Sequence, residues 1–179
     1  MRHTLSSFFL LFFSTVIIAQ NYQGPYPQIT EGYGAFGNHP TADITFDNTW
    51  AVAEYGEHEG QEITIRYPSD IDGPLPTILF ASGWDQHDPA LFNKLLDFIA
   101  SKGYAVVFTP YKTYSANWGQ CLYHGMKQAI DEHSDIIDTH KLGIFGHSLG
   151  GGYIYWLGKK FYVDHGYGQD GKFLFSVAG

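Results

Sequence analysis

A single cysteine, Cys121, stands in the 179-residue sequence, so no internal disulfide can form and the Cys-x-x-Cys spacing of zinc and redox sites is absent. No His-Glu-x-x-His occurs either, so a catalytic metal is not indicated and no cofactor is expected. Basic residues are scarce. Ten Lys and Arg stand against 18 Asp and Glu, the formal net charge is -8, and no Lys/Arg cluster appears, which argues against nucleic acid as a partner. There is no internal repeat. What is abundant is apolar: hydrophobic residues make up 44%, enough for one globular domain with a sizeable core. Aromatics reach 17%, many of them tyrosines in loop-like stretches, which suits either a surface for apolar or carbohydrate-like material or plain core and loop packing.

The first nineteen residues read as a secretory signal peptide. Arg2 and His3 form a short basic start, Leu5 to Ala19 is nearly all apolar, and Ala19 suits cleavage before Gln20. The run is short for a membrane span, so the mature chain is expected to be secreted or periplasmic without a span; an uncleaved anchor is the alternative. Residues 20–42 read as an irregular Gly-, Pro- and Tyr-rich arm that packs its aromatics on the domain, or as a disordered leader.

From Asp43 to the end the pattern is that of an α/β domain. Ile44–Phe46, Trp50–Tyr55 and Glu62–Tyr67 read as antiparallel strands, the last with the alternation of a half-buried one. Thr77–Ala81, Tyr104–Thr109, Lys141–Phe145 and Phe173–Ala178 are continuous apolar runs, as expected for strands covered on both faces. Helices are predicted between them. One starts at Asp88 and Pro89 and carries an apolar stripe of Leu91, Phe92, Leu95, Leu96, Phe98 and Ile99. A second covers Gln120 to His133 and a third Leu149 to about Phe161. Helix between apolar strands implies parallel crossovers, and ligands in such sheets bind beyond the carboxyl ends of the strands.

One turn organises this arrangement: Gly146-His147-Ser148-Leu149-Gly150, set between the strand and the third helix. Strand, Gly-x-Ser-x-Gly and helix together make a nucleophile elbow, in which a strained turn lifts the serine above the sheet. Gly146 and Gly150 supply the small residues that such a turn requires. Ser148 is therefore the expected nucleophile, and the backbone N–H of Leu149 an expected oxyanion donor at a helix N-terminus. The glycine run lacks the Lys-Ser/Thr end of a phosphate loop. His147 is expected to pack beside the strand, and Asp131, Glu132 and Asp135 read as a solvated helix face.

The chain resembles an α/β-hydrolase. The residues that carry the resemblance are Gly-His-Ser-Leu-Gly-Gly at 146–151, the lead-in Ile137 to Gly143, and Ser82-Gly83-Trp84 after the Thr77–Ala81 strand. Within that superfamily it is most similar to the cutinase-like, polyester-hydrolase and dienelactone-hydrolase branch. The resemblance implies a serine carboxylester hydrolase working through an acyl-enzyme on Ser148. It also implies a second oxyanion donor from Trp84 and a cleft wall from the Trp84 side chain. Leu149 offers an apolar wall opposite, and Tyr111, Tyr114 and Trp118 follow a strand end and line the cleft or pack the loop. The expected substrate is an ester with an apolar or aromatic acyl part. The fold's order of Ser, acid, His implies that the acid and base lie beyond Gly179, so that residues 43–179 form an incomplete hydrolase domain. A peptidase or amidase of the same fold, and a non-catalytic binding protein, remain alternatives.

Overall fold

The computed structural model describes residues 29–111 and 117–177. The expected signal peptide, the arm as far as residue 28, Tyr114 and Ala178 lie outside the described residues. Among the described residues six strands form one sheet: β1 (Thr41–Asp47), β2 (Glu62–Pro68), β3 (Leu75–Ala81), β4 (Ala105–Thr109), β5 (Ile137–His147) and β6 (Gly171–Val177). Their order is β1-β2-β4-β3-β5-β6. β2 runs antiparallel to β1 and β4, and β3, β4, β5 and β6 are mutually parallel. The helices are α1 (Thr49–Tyr55), α2 (Asn93–Ala100), α3 (Trp118–Glu132) and α4 (Leu149–Gly158).

The apolar runs explain the layers. Successive side chains of a strand point to opposite faces. Leu79, Ala81 and Val107 accordingly join the larger core with Leu122, Met126, Ile154 and Leu157 from α3 and α4. Phe80, Val106 and Phe108 point the other way and pack with Leu96 of α2. Phe80 is the hub of that second face, stacked on Phe145 with centroids 4.8 Å apart and tilted against Phe92 at 4.9 Å. The described part of the arm reaches the same side, where Phe36 meets Phe98 edge-on at 5.7 Å while Tyr33 is fully exposed.

Four expectations are corrected. Trp50–Tyr55 is not a strand but helix α1. Asn48 Oδ1 accepts from the Ala51 N–H at 3.1 Å, Asn48 Nδ2 donates to the buried Cys121 carbonyl at 3.0 Å, and Gly56 closes the helix with φ +82°. The run Trp-Ala-Val-Ala has no alternation, so this capping contact decides its form. Glu62–Tyr67 is buried more deeply than its alternation implies: Ile63, Thr64 and Ile65 are all buried, because β2 lies inside the sheet between β1 and β4. The helix expected from Asp88 divides into a 3-10 turn, Pro89–Phe92, capped by Asp88, and α2; Leu91 faces solvent. Among the described residues β6 pairs with β5 alone, and its Phe173 and Phe175 are 44% and 55% exposed. The third helix also ends sooner than expected, at Gly158, and runs on into a wide π turn, Lys159–Asp164.

Asn48 ties α1 to α3 through a side chain that is 1% exposed. Asn48→Ala loses the cap and the buried bond to the Cys121 carbonyl, so chemical denaturation should show about 2 kcal/mol less stability.

Candidate active site

The carboxyl ends of β3 and β5 lie side by side, with Ala81 level with Gly146. Two non-glycine residues among those described have positive φ, and both sit here: Ser148 (φ +51°) after β5 and Asp85 (φ +54°) in the loop after β3. Such conformations cost of order 1–3 kcal/mol each and persist only where the surroundings enforce them. At Ser148 the enforcement is visible. Its N–H donates to the Val177 carbonyl at 2.8 Å, and its carbonyl accepts from the Gly151 N–H at 2.9 Å.

The flanking glycines are steric requirements. A Cβ on Gly146 would lie 2.5 Å from Ile154 Cγ2 and 2.6 Å from the Gly150 carbonyl oxygen. A Cβ on Gly150 would be driven into the carbonyl oxygens of Ala81 and Ser82. The first turn of α4 therefore rests directly on the end of β3. Gly152 differs, since a Cβ there would meet nothing within 4 Å.

Gln86 joins the two halves of the site. Its Oε1 accepts from the Gly83 N–H at 3.0 Å and from His147 Nδ1 at 2.8 Å, while its own N–H donates to the Gly83 carbonyl at 3.1 Å. The Gly83 amide is a fixed donor, so the Gln86 atom facing it is the oxygen and His147 must carry its proton on Nδ1. The Gly83 N–H is thus committed to Gln86, whereas the Trp84 N–H has no hydrogen-bond partner among the described residues. Nothing in the sequence pattern singles out Gln86, a polar residue in a loop without periodicity.

Trp84 is 53% exposed and meets Trp118 edge-to-face with centroids 4.8 Å apart. Leu149 is half-buried at the start of α4, where it packs on the larger core. Of the two places expected for Tyr111, the cleft lining or the loop packing, the described residues put it in the packing. Its side chain is 2% exposed and stacks beneath Trp118 at 5.7 Å, because the apolar floor at the end of β4 takes the whole ring. Burial pushes its hydroxyl pKa up, with Tyr153 and Asp85 adding to the effect.

The described histidines are engaged elsewhere. His147 faces Gln86 and meets Phe92 edge-on at 5.6 Å. His87 lies 3.1 Å from the Asp85 carbonyl, and His124 stacks on Trp50 at 4.8 Å, its pKa lowered by burial and by Lys160. His165 bonds Tyr123 at 2.8 Å, and Asp164 is held ionised below the usual carboxylate range by Lys159, 2.9 Å away. Asp164 and His165 therefore serve neighbours of their own at the far end of α4. Among the described residues no group of three His, Cys, Asp or Glu is placed to hold a metal, and no helix is long and apolar enough to cross a membrane.

No protein-family model matches the sequence, and a search of curated proteins gives no match. Solved structures do match. Esterase B from Lactobacillus rhamnosis aligns with a TM-score of 0.54 at 18% identity, over 71% of this chain and 44% of that one. A bacterial heroin esterase aligns at 0.52 and 20% identity, over 78% and 45%, and a Rhizomucor miehei esterase at 0.54 and 18%, over 79% and 46%. The chain thus has the α/β-hydrolase fold, and these neighbours of that fold are esterases. It spans less than half the length of each of them.

Proposed function

We propose that the complete protein is a secreted serine hydrolase that cleaves carboxylic esters through an acyl-enzyme on Ser148. The observation that carries this is the positive φ of Ser148 at a strand–helix turn whose glycines admit no Cβ. Ser148 Oγ attacks the ester carbonyl, and its proton passes through a base to the departing alkoxide. The C–O bond to the alcohol breaks, the acyl group remains on Oγ, and water then releases the acid by the reverse steps. The oxyanion is held by the N–H groups of Leu149 and Trp84. The uncommitted Trp84 amide supports the second of these, and the N-terminal dipole of α4 favours the negative charge. The acid and base belong, on this reading, to sequence following residue 179. Support comes from the order of the triad in this fold and from the greater length of the esterase neighbours. One of these neighbours was solved inhibited by a tributyrin phosphonate, an ester mimic.

The exposed Trp84 beside the elbow supports an ester with an apolar or aromatic acyl part. Gly83-Trp84 and the Gly-His-Ser-Leu-Gly-Gly elbow support the cutinase-like, polyester-hydrolase or dienelactone-hydrolase branch. Export is carried by the leader alone and is checked by N-terminal sequencing of the protein from its native host, which should begin at Gln20. Hydrolysis of p-nitrophenyl acetate by the complete protein, lost in Ser148→Ala, tests the nucleophile.

Gln86 acts in this scheme as a positioning residue that clamps the oxyanion loop to the elbow. Gln86→Leu should lower kcat about tenfold with little change in KM, because misplaced donors matter most in the transition state. Gln86→Glu, which keeps the acceptor, should restore most of the rate. Equal losses in both variants would contradict the role.

A further inference from the structure

Beside the elbow α3 and α4 diverge around a groove of about 410 Å³, lined by Trp118, Gly119, Gln120, Gly152, Tyr153 and Trp156 among others. We propose that this groove is a subsite for a neutral aromatic ring of the ester substrate; the proposal rests on the ester-cleaving reading of Ser148. Other hollows lie elsewhere. One of about 280 Å³ opens by Thr77, Leu142 and Lys172 at the amino ends of the parallel strands, and one of about 220 Å³ lies by Thr139 and His165 at the far end of α4. Substrates of open α/β sheets bind at the carboxyl ends, and of these three hollows among the described residues the α3–α4 groove is the one placed there.

Three observations specify the occupant. The first is position. Gly152 follows Ser148 by four residues, one helical turn or about 6 Å along α4 and on the same side of it. Trp118 touches Trp84, so the wall beside the nucleophile continues into the groove. The second is construction. Gly119 lets α3 approach closely, since a Cβ there would stand 2.9 Å from Tyr153 Cε1 and 3.5 Å from Trp156 Cζ3. Gly152 has no such reason to be glycine. It costs the helix about 1 kcal/mol relative to alanine, and the space its side chain would take is open groove. The third is chemistry. The lining offers aromatic faces and amides with no charged side chain, and its volume falls in the range of about 300–1,000 Å³ usual for ligand sites. Tyr111 backs Trp118, and Tyr123 meets Trp156 edge-on at 6.0 Å, so both indoles are held in place. Fixed indole and phenol faces favour offset or edge-on contact with another ring.

The ring can belong to the acid or to the alcohol, and three esters separate these: ethyl benzoate, phenyl acetate and ethyl butyrate. In the complete protein, Gly152→Leu directs a side chain into the groove from a site where its Cβ meets nothing within 4 Å. The ratio of kcat/KM for one ring-bearing ester to that for ethyl butyrate should fall at least tenfold, and the ester that loses most identifies the side. Trp118→Leu should change the same ratio in the same direction. Equal losses on all three esters, or no change in the ratio, would overturn the subsite. A binding measurement keeps this separate from the catalytic reading. In Ser148→Ala, ethyl benzoate and phenyl acetate should be titrated while the indole N–H signals of Trp118 and Trp156 are followed by NMR. Shifts of these signals by at least one ring-bearing ester, abolished by adding Gly152→Leu, support the groove whether or not wild type turns the esters over. Unmoved indole signals with both esters would refute it. An active Ser148→Ala enzyme would refute the nucleophile instead.

Discussion

Ser148→Ala in the complete protein is expected to lower kcat for p-nitrophenyl acetate by about a million-fold, the scale seen when a triad serine is removed. Ser148→Gly should abolish turnover equally, yet differ in stability. At φ +51° a side chain is strained and glycine is not. The backbone bonds to Val177 and Gly151 do not depend on the side chain, so they survive the change. Thermal unfolding should therefore show Ser148→Gly about 1 kcal/mol more stable than Ser148→Ala. A stability gain coupled to a total loss of function is the mark of strain kept for chemistry. If alanine and glycine were equally stable, the turn would not be strained, and its backbone conformation would not mark Ser148 as a nucleophile.

Gly150→Ala is expected to be nearly as damaging by a different route. The new methyl group is aimed at the carbonyl oxygens of Ala81 and Ser82, which are backbone atoms at the end of a central strand and cannot swing aside. Relief requires α4 to lift from β3. That shift displaces Ser148 and Leu149 relative to Trp84, whose loop continues from the same strand. Overpacking of this kind costs about 1–3 kcal/mol, and a 1 Å misplacement of reacting groups about a hundred-fold in rate. The same substitution two residues later is the control. Gly152→Ala meets nothing and gains helix propensity, so it should stabilise the protein by about 1 kcal/mol. Urea denaturation of the pair should move the midpoints in opposite directions; movement the same way would mean that α4 does not sit on β3 as described.

The elbow could be read in advance because its sequence pattern is a record of backbone sterics. Gly-x-Ser-x-Gly between an apolar strand and a helix marks where a Cβ is forbidden, and the structure shows what forbids it. The strands β3, β4 and β5 were legible for a related reason: Thr77–Ala81 and its counterparts are apolar without alternation, as two-sided burial demands. Where several outcomes share one pattern, the sequence alone does not decide between them. Trp50–Tyr55 suits a strand or a short helix until Asn48 is seen to cap it and reach Cys121. Tyr111 follows the end of β4, but the direction of its ring depends on the space beneath Trp118. Gln86 is a matter of two hydrogen bonds across sixty-one residues to His147 and three to Gly83, and loop sequences carry no signal for such pairings.

Reaction of the complete protein with a p-nitrophenyl alkylphosphonate tests the central claim most directly. The serine oxygen would displace nitrophenoxide and form a stable P–O bond, a mimic of the acylation step. Peptide mass spectrometry should find one phosphonyl group per chain, on Ser148, with activity lost in proportion to labelling and no label in Ser148→Ala. A label on another residue, or full esterase activity with Ser148 unmodified, would contradict the account.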